Sequence, residues 1–468
     1  MAAHNTPHDT TERFAVAEFS VRAHGAAGDG KTLDTAAIQA AVDACADAGG
    51  GRVIVPAGGV YLSATITLRD HVELHVERGA TIAASGRWAD YATGPRVSGL
   101  SGGIIDAESG QGRALISATG ARDIAVTGGG VIDGGGRHFA RRDLGEIYEM
   151  ASQRPFTLFF LHCANVTIRD AEFIDAAYWT VRLSVCEDIV IDGVRIHNDP
   201  KLPNNDGIDL DWCQRARISN CDIDTGDDGI SLKACEEFAG NTACQDIVIA
   251  NCTIKSRSSA LVIGADITGP IRRVVFSGCI VRQSHRGLSV NLAQRGGPVE
   301  SILFCDCIIE TQYDDDAWWG NGEPIYVSAE PWHGGEVGTI AHVWFRNVQC
   351  RSENGVVIQA VRPGLVQDVR MDDVRVELGS WTGRKGGRID LRPTSRDEFR
   401  DHPTTGFYLE NAAAIKLTGC EVAWQGKTQP CWGLALESHG PDAPQIERFA
   451  GAASAAGAAG HQAWPATP

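Results

Sequence analysis

The chain has 468 residues, 43% of them apolar and 22% charged, an ordinary balance for a globular protein in water. Its formal net charge of −17 disfavours nucleic acid, which needs a basic surface, while leaving room for a local basic pocket that takes an acidic sugar. No run of about 18 apolar residues predicts a membrane span, and the polar start "MAAHNTPHDTTERFAV" lacks signal-peptide character, so cytoplasmic residence is the expectation.

Residues 1–17 read as a disordered or extended N-terminus, residues 18–447 as one domain, and residues 448–468, rich in Ala and Gly, as a low-complexity tail without ordered structure. The first regular element is a helix in "LDTAAIQAAVDACADAGGG" (33–51). Ile38, Val42 and Cys45 recur at helical spacing, Asp34 or Thr35 is placed to cap the start, and Gly49 to Gly51 end it. Standing before the strand "RVIVPAG", such a helix would cap the open end of a stack of strands.

From residue 166 onward a short unit recurs: alternating apolar residues, then Asp, Asn or Gly, then a small residue and another apolar pair. It reads "VTIRDAEF" (166–173), "IVIDGVRI" (189–196), "ARISNCDI" (216–223), "IVIANCTI" (247–254) and "VVFSGCIV" (274–281). It continues as "ILFCDCII" (302–309), "VWFRNVQC" (343–350), "VRMDDVRV" (369–376) and "IKLTGCEV" (415–422). The residue after the bend falls at Ala171, Val194, Cys221, Cys252, Cys279 and Cys307, giving spacings of 23, 27, 31, 27 and 28. The units have a strand's period of two, and each is too small to bury its own apolar face. Stacked coils would bury a continuous core, and Asn, Asp and Gly supply the bends because they tolerate left-handed backbone angles. A β-propeller blade needs about 40 residues, and most of these spacings are shorter. The fold class is therefore all-β, a parallel β-helix with an N-terminal capping helix. The 14 cysteines show neither paired nor zinc-type spacing, and many fall inside the strand-like runs, as small buried apolar residues would.

"PNNDGIDLDWCQRARISNCDIDTGDDGISLKA" (203–234) concentrates acids: Asp206, Asp209 and Asp211, then the adjacent pair Asp227 and Asp228. Asp206 and Asp227 are 21 residues apart, about one coil, and parallel strands stack at about 4.8 Å, so these acids would share one small site. Clustered acids suit glycosidic hydrolysis. One stays protonated for the leaving oxygen, another stays ionised to activate water, and their mutual repulsion drives that split. The same Asp-Asp-Gly and Asn-Asp-Gly stretches are also good bend sequences, so spacing alone leaves a purely structural reading open.

These motifs resemble glycoside hydrolase family 28, the polygalacturonase and rhamnogalacturonase family, whose fold is a right-handed parallel β-helix. The likeness runs from about 154 to 310, through a lead-in ending at Tyr178, Trp179 and Thr180. It is most specific at "NNDGIDLDWC", where Asn205 replaces the family's Thr, and at "TGDDGISLK". The opening "VRAHGAAGDGKTLDTAAIQAAVDAC" is similar as well. The resemblance implies an inverting mechanism, with Asp227 as general acid and Asp206 and Asp228 holding the water. Asn204, Asp209 and Trp179 are the further candidates for substrate contact, and Lys233, one strand beyond the Gly-Asp-Asp, is expected to face the cleft, with an exposed strand end as the alternative.

Two family motifs are missing. Ser258, Ser259 and Ala260 stand where the family has Gly-His-Gly, and Ser289, Val290 and Asn291 stand where it has Arg-Ile-Lys, the galacturonate-binding pair in polygalacturonases. Arg257, His285 and Arg286 are the candidate replacements, and plain polygalacturonic acid is disfavoured. Of two long insertions, 136–155 and 313–338, the second carries Trp318, Trp319, Glu323, Tyr326, Trp332 and His333, a set suited to stacking on sugar and bonding its hydroxyls. A loop there that closes one end of the cleft implies exo action. The expected activity is thus an inverting, exo-acting glycoside hydrolase on a non-standard pectin-like or neutral sugar, with a carbohydrate as its partner and neither cofactor nor catalytic metal. The rival readings are a calcium-assisted uronate lyase, an intramolecular glycosyl transferase and a non-catalytic sugar-binding β-helix.

Overall fold

The repeated unit folds as a bend between two short strands. In the computed structural model, which describes residues 17–95, 112–332, 335–394 and 398–452 together with the backbone of 461–464, all nine predicted bend residues are left-handed. Asp170, Gly193, Asn220, Asn251, Gly278, Asp306, Asn347, Asp373 and Gly419 have φ between 51° and 66°. Their amide groups donate to the next coil, as in Asn220 N to Ala250 O (3.2 Å) and Asn251 N to Ser277 O (3.1 Å). The Asn220 side chain also donates to Asp192 Oδ1 on the coil before, at 2.7 Å. Alanine pays about 1–2 kcal/mol in this backbone region, so Asn220→Ala should lower stability by about that much in a denaturant titration. Asn220→Gly should lose less, and equal losses would show that the left-handed angle is not what selects Asn here.

Successive coils pair in parallel, residue for residue. Ile189, Ala216, Ile247, Val274, Ile302, Val343 and Val369 form one buried row, and Phe276, Phe304 and Phe345 stack within the neighbouring row with ring centres 4.4 and 5.0 Å apart. The result is a right-handed parallel β-helix with one long sheet of 25 strands folded around the bends and a second of 13. In the second sheet every coil adds one strand in chain order, and its outer face carries the acids. Every cysteine is free, and all but Cys431 are buried, most of them in this interior.

The helix spans Thr35–Asp47, buries Ile38, Ala41, Val42 and Cys45, and packs on the strands Glu18–Ser20 and Gly51–Val55 at the first coil. Asp34 occupies the N-cap position, but its carboxylate bonds backward, accepting from the amides of Ala27 (2.7 Å) and Gly28 (2.9 Å). The expected N-terminal segment, apart from Ala17, lies outside the described residues. In the tail, the backbone of His461–Trp464 pairs in parallel with Leu436–His439, so part of a segment expected to lack order extends the second sheet. The remaining tail residues after 452 lie outside the described residues.

Candidate active site

Two consecutive coils bring the acids together. Ile208–Asp211 pairs with Ile230–Ala234, which places Asp206 over Asp228 and Asn205 over Asp227. Asn205 pins the acid-bearing turn: its Oδ1 accepts from Gly226 N (2.9 Å) and Asp227 N (3.1 Å), and its Nδ2 donates to Asp199 O (2.9 Å). In sequence Asn205 stands out only as a replacement for the family's Thr, and its alignment with Asp227 one coil away is the signal that marks this role.

Each acid has a distinct setting. Asp227 Oδ2 accepts from Asn204 N at 3.1 Å and Nδ2 at 3.4 Å, and its Oδ1 accepts from Asp228 N at 3.0 Å. Asp228 Oδ1 accepts from Ser258 Oγ at 3.0 Å and Ser259 N at 3.3 Å, so two serines at the missing Gly-His-Gly motif hold this acid. Asp206 is buried, and its Oδ1 has no hydrogen-bond partner. Lys233 Nζ lies 3.8 Å from Asp206, 3.6 Å from Asp228 and 3.7 Å from Asp209, above the ring of Trp179 at 5.0 Å.

Burial dominates the proton affinities. It raises Asp206 well above the usual carboxylate range, helped by Asp209 and Asp227 and opposed by Lys233. It lifts Asp227 to about 6, helped by the charge of Asp228 and opposed by Lys233 and the amides. Asp209 is pushed up to about 7 by burial against the pull of Lys233. Burial disfavours the Lys233 charge too, but Asp228, Asp209 and Asp206 outweigh it and hold the ammonium well above the usual lysine value.

Trp179, Asn204, Asp206, Asp227, Asp228, Lys233, Trp318 and Trp319 line a common cleft of about 200 Å³, as the sequence suggested. Ile147, Ser258, Asp266 and Trp332 join them. A roof covers it. Trp318 crosses Gly226, where a β-carbon would sit 2.9 Å from the indole, and donates through Nε1 to Glu146 O at 3.2 Å. Glu146 belongs to a hairpin of Ala140–Asp143 and Tyr148–Met150, so the two predicted insertions meet above the acids. Trp319 and Trp332 stand edge to face, 5.9 Å apart. His333 lies outside the described residues.

Six expected substrate contacts lie elsewhere. Asp209 is fully buried beneath the floor, accepting from Ser231 Oγ. Arg257 sits at the rim, paired with Glu146 (3.3 Å) and Asp315 (3.4 Å). His285 is buried, its Nε2 accepting from Asp314 N at 3.3 Å. Arg286 lies buried 3.9 Å over the Tyr326 ring and donates to the carbonyls of Asp390 (2.6 Å) and Arg392 (2.9 Å). Glu323 beside it accepts from Asn321 N at 2.7 Å, and Tyr326 packs with Val357, Ile389, Leu391 and Tyr408. A third insertion, carrying the hairpin Arg388–Asp390 and Phe399–Asp401, covers these residues. It also holds the roof, since Arg392 Nη2 donates to Trp318 O at 2.7 Å.

One oxygen from each of Asp206, Asp227 and Asp228 lies within 4.8 Å of the others, a spacing that suits a cation. The Lys233 ammonium already takes that role for two of the three. The second such group, Asp211, Cys235 and Glu237, likewise holds Arg182, at 2.9 Å from Asp211 and 2.7 Å from Glu237.

Residues 45–257 match the family described as glycosyl hydrolases family 28. A probable polygalacturonase of Vitis vinifera is 30% identical over 66% of this chain and 65% of its own length. An exo-poly-alpha-D-galacturonosidase of Dickeya chrysanthemi is 26% identical over 63% of this chain and 56% of its own. The chain thus spans less than two thirds of either relative. Among solved structures, a hyperthermoactive exopolygalacturonase from Thermotoga maritima superposes with a TM-score of 0.66 at 24% identity, covering 77% of this chain and 87% of that one.

Proposed function

The chain is like the glycosyl hydrolases of family 28 in sequence and in fold, and from that premise we propose that it is an exo-acting glycoside hydrolase working by acid/base catalysis with inversion. One observation carries the assignment of roles. Lys233 touches Asp206 and Asp228 but makes no ion pair with Asp227. Asp227, out of ion-pair reach of the ammonium and raised to about 6 by burial, holds its proton below that pH. In Asp206 burial outweighs the pull of Lys233, so its part in gripping the water rests on its place over Asp228 one coil away and not on its proton affinity. Asp227 donates to the glycosidic oxygen. Asp206 and Asp228, stacked one coil apart, grip a water between them and take its proton as it attacks the anomeric carbon. The roof formed by Trp318 and the Glu146 hairpin supports the exo reading, because it walls the cleft beside the acids.

Retention is the second reading, and it has one observation in its favour. Two-carboxylate inverting sites hold their acids roughly 6.5–9.5 Å apart, whereas the nearest oxygens here all lie within 4.8 Å. The same spacing also has room for a water bridging Asp206 and Asp228, and the inverting reading rests on that water and on the likeness to family 28, not on the spacing. Proton NMR of the product formed in the first minutes, before mutarotation, distinguishes the two. The expected first signal is the inverted anomer. A retained anomer, with a glycosyl group trapped on an aspartate, would overturn the proposal.

A further inference from the structure

The cleft has the wrong charge for an acidic sugar. Four carboxylates line it, those of Asp206, Asp227, Asp228 and Asp266, with Asp209 just beneath. Against them stands one cation among the described lining residues, Lys233, already within 4 Å of three of those acids. The neighbouring guanidinium groups are spent elsewhere. Arg154 donates to Ala177 O (2.8 Å), Pro203 O (2.7 Å) and Asn204 Oδ1 (2.9 Å), and Arg257 pairs with Glu146 and Asp315. Burial raises the proton affinity of Asp206 and Asp209 and lifts Asp227 and Asp266 to about 6, so the excess of carboxylates over the ammonium is fullest near pH 8, where binding is to be compared.

Asp266 is the carboxylate that catalysis leaves unused. The pairing of Ile230–Ala234 with Ser259–Ile267 slips between Leu232, opposite Ile263, and Ala234, opposite Ile267, so that Ala265 and Asp266 bulge out into the cleft. Asp266 is buried, and Gln294 Nε2 reaches its Oδ1 at 3.3 Å. Facing a pocket shared by the catalytic acids and the indoles of Trp179, Trp318, Trp319 and Trp332, its carboxylate is placed to accept hydrogen bonds from sugar hydroxyls.

We propose that the residue bound beside the acids is a neutral sugar with free hydroxyls, and that Asp266 enforces this choice by accepting from a hydroxyl and repelling a carboxylate. The turnover side of this proposal rests on the hydrolase reading above; the binding side does not. Like charges a few ångströms apart in a partly buried site separate matched ligands by about 100-fold or more. The test uses aryl glycosides of neutral hexoses, 6-deoxyhexoses and pentoses beside the corresponding uronides. Turnover is measured with the wild-type chain, and binding by calorimetry with the full-length Asp227→Asn variant. At least one neutral member should exceed every uronide by about 100-fold in binding or in kcat/KM. A uronide that equals or beats the neutral sugars overturns the proposal, as does a failure of the whole panel to bind. Neutral sugars that bind without turnover would leave this inference standing and remove the hydrolase reading. In Asp266→Asn the neutral-to-uronide ratio should shrink by about tenfold or more. An unchanged ratio would remove Asp266 from the assignment.

Discussion

Asp227→Asn is expected to slow turnover by about 10²–10⁴-fold while leaving ligand binding measurable, because the variant keeps the shape of the acid but has no proton to give. Asn204 and the Asp228 amide donate to different oxygens of Asp227, so the variant's single amide oxygen keeps one of these bonds, while Asn205 still holds the turn through the amides of Gly226 and residue 227. The wild-type pH profile tests the same role. Burial and the charge of Asp228 put Asp227 near 6, and the acid works only when protonated. The kcat/KM should therefore fall about tenfold per pH unit above roughly 6, and the residual activity of Asp227→Asn should lack that alkaline limb. A loss under threefold, or an unchanged limb in the variant, would move the proton to another residue.

The order of elements was largely legible, because the bends need residues that tolerate positive φ and the chain supplies Asp, Asn or Gly at each of the nine. The three acids were legible for a related reason: the motifs that carry them occupy equivalent places one coil apart. Even so, spacing suggested Asp206 over Asp227, whereas the register sets Asp206 over Asp228 and Asn205 over Asp227. What sequence concealed was depth. Arg286 and Glu323 continue the row of Asp206, Asp228 and Ser259 coil by coil, and Tyr326 lies on the outer face of that sheet, so their place along the coil puts them in the groove. They are sealed by the hairpin Arg388–Asp390 and Phe399–Asp401, whose sequence "GSWTGRKGGRIDLRPTSRDEF" has no periodicity to announce it. Asp266 was hidden by the opposite effect. A strand-period reading assigns it no special place, and only the slip in register turns it into the cleft.

Lys233 ties catalysis to stability, and replacing it separates charge from packing. Lys233→Met keeps much of the side-chain volume over Trp179 but leaves Asp206, Asp209 and Asp228 without their counter-charge. Removing one partner of a buried ion group costs about 3–5 kcal/mol, so the variant should unfold well before the wild type at pH 8. The sign of the pH dependence follows from the carboxylates. Their folded-state affinities are already raised, as for Asp206 and Asp209, and loss of the ammonium raises them further. A carboxylate that binds its proton more tightly folded than unfolded loses stability as pH rises, beginning near the unfolded value of about 4 and continuing up to its folded value. The gap between variant and wild type should therefore be small at pH 5 and widen toward pH 8 in denaturant titrations. A gap of the same size at both pH values would mean that Lys233 serves by packing alone. In that case the division of roles between Asp227 and the other two acids would need another cause.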